Sequence, residues 1–153
     1  MRLAWVANHN NGQTEWESRE LFEWLTDVFQ VPALALKPGV TQDIRAHVRS
    51  EFEREGWAMN VRVDPDYDLT VFAVRDDLAV QLQTGNMSRA PYDLLKLQYL
   101  HTTNRIKAAA LALPTKQGAG ALGSNIAHAD RVASELQLFK HIINIPILVV
   151  AFD

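Results

Sequence analysis

The run Leu78-Ala79-Val80-Gln81-Leu82-Gln83, closed by Thr84-Gly85-Asn86, alternates between two sets of side chains. A period of two belongs to a strand, so Ala79, Gln81 and Gln83 share one face while Leu78, Val80 and Leu82 share the other. Upstream, Val61 and Val63, then Leu69, Val71 and Ala73, keep the same period, and Arg75-Asp76-Asp77 separates the two runs. The pattern predicts an antiparallel hairpin turning at Asp76-Asp77. Counting back across that turn sets Phe72 opposite Gln81.

Working toward the N-terminus, Thr41 is a plausible cap for a helix in which Ile44, Val48 and Phe52 repeat every four residues until Gly56. Residues 30 to 40, with Pro32 and Pro38-Gly39, form a connection. Before them, Leu21, Trp24, Leu25 and Val28 have the spacing of one helical face, with Thr14 as the cap and acidic residues in the early turns. Leu3 to Ala7 reads as a strand closed by Asn10-Asn11-Gly12.

Toward the C-terminus, Pro91 starts a helix over Tyr92 to Thr102, and Ala108 to Leu113 is a short buried strand ending at Pro114. Gly118 to Gly123 reads as a flexible loop. Asn125 to Lys140 reads as an amphipathic helix with Ile126, Ala129, Val132, Ala133, Leu136 and Phe139 inward, and Ile147 to Phe152 as an apolar last strand. The order β-α-α-β-β-α-β-α-β predicts an α/β domain over residues 1–153, a mixed sheet with helices on both faces.

Composition narrows the function classes. An apolar share of 48% with only 7 Gly and 6 Pro indicates a folded chain. The absence of cysteine excludes disulfides, thiolate metal sites and a thiol nucleophile. No run is long enough to cross a bilayer and Met1 to Ala7 lacks the regions of a signal peptide, so a cytoplasmic location without a membrane partner is expected. A net charge of −3 gives no global field for nucleic acid, and DNA binding would need a local patch. Eighteen carboxylates against 15 basic residues are too few for a mimic of DNA.

Several stretches in order resemble one family. Leu78 to Arg89, followed by Tyr92-Asp93-Leu94-Leu95-Lys96-Leu97-Gln98, is similar to the BglII group of type II restriction endonucleases, whose core strand reads Glu-x-Gln before a Gly/Asn turn and a helix across the site. Asp43 to Trp57 resembles the helix leading into that hairpin. Ala110 to Lys116 and Ile145 to Val150 resemble the next core strand and the last one, so the likeness covers roughly residues 41 to 153 and leaves residues 1 to 40 as an N-terminal extension.

The resemblance implies a restriction-endonuclease-like PD-(D/E)xK fold, Mg²⁺-dependent hydrolysis of DNA phosphodiesters, double-stranded DNA as partner, and a homodimer. By position, Gln81 stands where the family has its Glu, and Gln83 where the family also has Gln. The chemistry needs acids, because Mg²⁺ is a hard ion held by carboxylates and water. A glutamine oxygen can coordinate but carries no charge, and Phe72 cannot bind a metal. Asp68 is the nearest acid on the preceding strand, about 13 Å away along it at ~3.3 Å per residue. The candidate catalytic residues are therefore Gln81, Gln83, Asp68 and Glu53, the last from the helix on which some family members carry an additional acid; Asp68 and Gln81 are the candidate metal ligands. Asn86, Arg89 and Lys96 are the candidate DNA contacts.

Other residues have plainer readings. Asp64, Asp66 and Asp68 form a solvated acidic loop or a cation site, and Glu51, Glu53 and Glu55 a charged outer face. His9, His47, His101, His128 and His141 show no ligand spacing, Ser88 and Ser124 lack a nucleophile elbow, and the tryptophans read as core or interface anchors. Three functions are consistent with these residues: a nuclease fold with lost or reduced cleavage that binds DNA or a protein partner, an active Mg²⁺-dependent endonuclease, and an interaction or inhibitory module in phage-host defence.

Overall fold

The computed structural model describes residues 1–153. Its strands are β1 (Leu3–His9), β2 (Ala58–Arg62), β3 (Thr70–Arg75), β4 (Leu78–Leu82), β5 (Ala108–Pro114) and β6 (Ile147–Phe152). They form one six-stranded sheet in the order β1-β6-β5-β4-β3-β2. β4, β5 and β6 pair in parallel, and every residue of β5 and β6 is buried, as parallel strands covered on both faces require. β2, β3 and β1 are added antiparallel at the flanks.

The helices are α1 (Gly12–Glu17), α2 (Phe22–Asp27), α3 (Thr41–Arg54), α4 (Ala90–Thr102), α5 (Lys116–Leu122) and α6 (Ala129–Leu138). One face of the sheet carries Trp16, Leu25, Ile44, Val48 and Phe52 packed on Leu78, Val80, Leu82, Leu148 and Val150. The opposite face carries Leu94, Leu97 and Leu100 of α4 and Val132 and Leu136 of α6, packed on Ala79, Ala109, Leu111, Ile147 and Val149. The mixed sheet with helices on both faces is thus as expected. Each fully buried large side chain contributes about 1.5–3 kcal/mol. Small residues in β5 let the other layer come close, so that Trp16 Nε1 donates to the Ala109 carbonyl at 3.1 Å.

Local details differ from the pattern reading. The first helix is two pieces, because Glu20 adopts φ 58 between α1 and α2. Thr14 lies inside α1 rather than capping it; α1 begins from left-handed Asn11, at φ 60, and Gly12 fits because a Cβ there would stand 2.6 Å from the Ile147 carbonyl carbon. Thr41 is likewise the first helical residue of α3, and Val40 precedes it without a side-chain cap.

A separate strand, β2, makes the sheet six-stranded rather than five-stranded. The stretch expected as a glycine loop is α5, because the Thr115 hydroxyl accepts the Gly118 N–H at 3.0 Å and closes the first turn. The last helix is shorter than expected: Asn125 has φ 58, His128 caps α6 through the Arg131 N–H, and Phe139 lies past its end, 43% exposed rather than inward.

Candidate functional site

β3 and β4 pair in register from Arg75↔Leu78 to Ala73↔Val80. The ladder ends there: Phe72 and Gln81, the next pair counted from the turn, are joined through the Gln81 side chain rather than by the backbone ladder, and the strand alternation breaks. The Phe72 ring turns to the α3 side, 5.8 Å from the Phe52 ring, and its N–H donates to Gln81 Oε1 at 2.9 Å. Opposite on β2, Asn60 has φ 50. The sheet opens here into a cleft of about 690 Å³ between α3 and α4.

On the floor of this cleft sits Asp93, from the first turn of α4 behind Pro91. Its side chain is 4% exposed. Gln81 Nε2 donates to Asp93 Oδ1 at 2.9 Å, Gln83 Nε2 donates to Asp93 Oδ2, and Lys96 Nζ lies 2.7 Å from Oδ1. Lys96 also donates to the Thr70 carbonyl at 2.8 Å, and Gln83 Oε1 accepts the Gly85 N–H at 2.7 Å.

These partners fix both amides. Each glutamine oxygen accepts a backbone N–H and each nitrogen faces the carboxylate, so flipping either amide would set oxygen against oxygen. Across the cleft, Arg45 of α3 donates to the Leu82 carbonyl at 3.3 Å, with its guanidinium carbon 5.8 Å from the centre of the Phe72 ring. Burial, and secondarily Arg49, lower its pKa from the ordinary arginine value, while Asp93 opposes the shift; arginine nevertheless stays protonated.

The family model described as restriction endonuclease BglII/BglIII matches residues 5–152. The chain belongs to this family. Its fold is that of solved BglII structures. BglII complexed with a DNA 16-mer superposes with a TM-score of 0.84 at 13% identity, over 99% of this chain and 76% of that one. Free BglII gives 0.72 at 14% identity, over 100% and 80%. No curated protein sequence matches the chain.

Set against the BglII-family hairpin, the residues expected from sequence separate. Gln81, Gln83 and Lys96 meet on the cleft floor around Asp93. Asp68 lines the same cleft but its side chain is 96% exposed, with Arg62 at 3.9 Å. Glu53 is outside the cleft lining, on an exposed part of α3, paired with Arg49 at 3.2 Å. Arg89 lines the cleft, and Asn86 accepts the Ser88 N–H at 2.9 Å to cap the short 3₁₀ turn Met87–Arg89.

The acidic loop is partly spoken for: Asp64 accepts the Asp66 N–H at 3.0 Å and the Tyr99 hydroxyl at 2.8 Å, which hold its carboxyl below the usual range. No group of three or more His, Asp or Glu side chains is arranged to hold a metal ion.

Sequence reasoning missed Asp93 and Arg45. Asp93 carried a usable signal, since it lies three residues before Lys96 on the helix directly after the hairpin, where the two face one another. Arg45 follows Ile44 on α3 with no comparable signal, because only the folded sheet brings Phe72 beneath it.

Proposed function

We propose that this BglII-family protein binds double-stranded DNA in the cleft between α3 and α4 and has lost or greatly reduced Mg²⁺-dependent cleavage. The observation that carries this reading is the orientation of Gln81 and Gln83, whose oxygens are taken by backbone N–H groups while their nitrogens are turned to Asp93. Mg²⁺ requires oxygen ligands near octahedral geometry, mostly anionic or water. The residues here do not fit it. Asp93 is the single buried carboxylate of the cleft, three N–H donors already surround it, and Lys96 supplies its counter-charge.

Basic residues without a carboxylate partner, Arg45 and Arg89, line the same cleft and suit phosphate contacts that position a duplex. The reading includes a homodimer. An apolar groove lined by Tyr67, Leu95 and Tyr99 adjoins the cleft, sharing Leu69, Tyr92 and Lys96 with it. A second copy seated there would border the cleft.

The deciding experiment incubates purified protein with mixed-sequence duplex DNA in Mg²⁺ or Mn²⁺ and measures binding in parallel. Salt-dependent binding without cleavage is the expected result. Cleavage that Gln81→Ala abolishes would establish instead an active endonuclease. Absence of any duplex affinity at low salt would point to a protein partner, such as a component of phage-host defence.

A further inference from the structure

A cation without a carboxylate partner is costly to hold partly out of water, and a structure that retains one in a cleft offers it to an anion. Arg45 is such a group. It is half-buried, its one protein hydrogen bond goes to the Leu82 carbonyl, and none of the chain's ion pairs includes it, which leaves most of the N–H groups of its guanidinium free. Of the neighbouring basic groups, Lys96 is engaged by Asp93 and Arg49 by Glu53, while Arg89, also in the cleft lining, is exposed.

Its position is defined from two sides. Ile44 and Val48 anchor α3 in the core on either side of it, and the face of the Phe72 ring supports the guanidinium. Counting the charged side chains that line the cleft, Arg45, Arg89 and Lys96 outweigh Asp68 and Asp93. The local balance is positive in a chain whose net charge is −3.

We propose that Arg45 is a metal-independent phosphate-binding group, a fixed guanidinium that holds an anionic phosphate oxygen in the cleft above Phe72. In this fold a divalent cation recruited by acids would neutralise phosphate; here a covalently tethered cation does so, and no chelator removes it. The guanidinium fork matches two phosphate oxygens, which a lysine cannot reproduce. The inference rests on the DNA-binding reading for the source of the phosphate, although the group would take free phosphate by the same chemistry.

The test titrates ¹⁵N-labelled protein with inorganic phosphate in EDTA and follows the Arg45 Nε–H resonance, assigned by its loss in Arg45→Met. Duplex DNA binding is measured alongside by fluorescence anisotropy across a salt series, also in EDTA. A saturable shift of the resonance is expected. Folded Arg45→Met should bind duplex about tenfold more weakly, with the salt slope reduced by about one, and Arg45→Lys should recover only part of the affinity.

An Arg45 resonance that phosphate leaves unmoved overturns the proposal, whether or not duplex binds. Because this readout uses the wild-type protein, and loss of the same resonance in Arg45→Lys assigns it equally well, it decides even if Arg45→Met fails to fold. A shifted resonance in a protein that binds no duplex would uphold the phosphate site and overturn the DNA reading. Duplex binding with an unmoved resonance would do the reverse.

Discussion

Lys96 Nζ stands 2.7 Å from Asp93 Oδ1, one turn apart on α4, and the same ammonium donates to the Thr70 carbonyl on β3. The pair is therefore both the charge balance of the cleft floor and a tie between the helix and the sheet.

Removing one partner of this pair should be expensive. Asp93→Ala leaves the nitrogens of Gln81 and Gln83 without their acceptor and the Lys96 ammonium without its counter-charge, with only the Thr70 carbonyl left to it, in a mostly buried place, and a loss of about 3–5 kcal/mol is expected. Urea unfolding measures it. Lys96→Met, which keeps the apolar stem and leaves Asp93 its two amide donors, should cost less than Asp93→Ala; an Asp93→Ala protein as stable as wild type would show that the network is not held as described.

A second pair gives a pH signature. The Arg19 guanidinium donates to Asp77 at 2.8 Å and 2.5 Å, tying the turn between α1 and α2 to the β3–β4 hairpin, and it holds the Asp77 carboxyl below its ordinary value of 3.8. A carboxyl depressed on folding adds stability that is full above its unfolded pKa and disappears as pH falls through the folded one. The pair is partly exposed, so less than about 1 kcal/mol is expected. Asp77→Asn should lower stability at pH 7 and flatten its decline below about pH 4; thermal melts of both proteins from pH 2 to 7 check this.

The hairpin was legible because its period of two, its acidic turn and the apolar face of β4 all depend on neighbours in sequence. The break at Glu20 was not, since glutamate in a left-handed conformation is set by how α1 and α2 pack, not by its own preference. Gly118 and Gly120 suggested a loop by composition, whereas the Thr115 cap decided for a helix. At the site, Gln81 and Gln83 could be placed on one face, but their meeting with Asp93 depends on how α4 crosses the sheet. The turning of the Phe72 ring toward α3 is a break in alternation that strict counting does not foresee.

The proposed dimer uses the apolar groove beside the cleft rather than the exposed Leu138 and Ile142 beyond it. Leu95 is 54% exposed in the groove lined also by Tyr67 and Tyr99, and Leu95→Arg would place a charge in that lining. Wild type should run as a dimer in light scattering at micromolar concentration, and Leu95→Arg as a folded monomer. A monomeric wild type would remove the second copy from the proposal and leave the cleft unaffected.

Two substitutions on the cleft floor should give it a metal site. Gln81→Glu would still accept the Phe72 N–H, but would set a second carboxylate against Asp93, where the wild type has an amide donor. With Lys96 in place its ammonium balances Asp93; with Lys96→Met added, two carboxylates share the floor, and Arg45 and Arg89 are the cations left in the cleft lining. Like charges so placed either take up a proton or recruit a divalent ion. The double variant should therefore bind Mn²⁺, seen as loss of the free-ion EPR signal and as a rise in melting temperature, corresponding to about 2.7 kcal/mol at a hundredfold excess over Kd. Wild type should show neither change in the same Mn²⁺ concentrations. Mn²⁺ binding by wild type that Asp93→Ala abolishes would mean that Lys96 yields its place to a metal, and the reading of the cleft as a metal-independent site would fall.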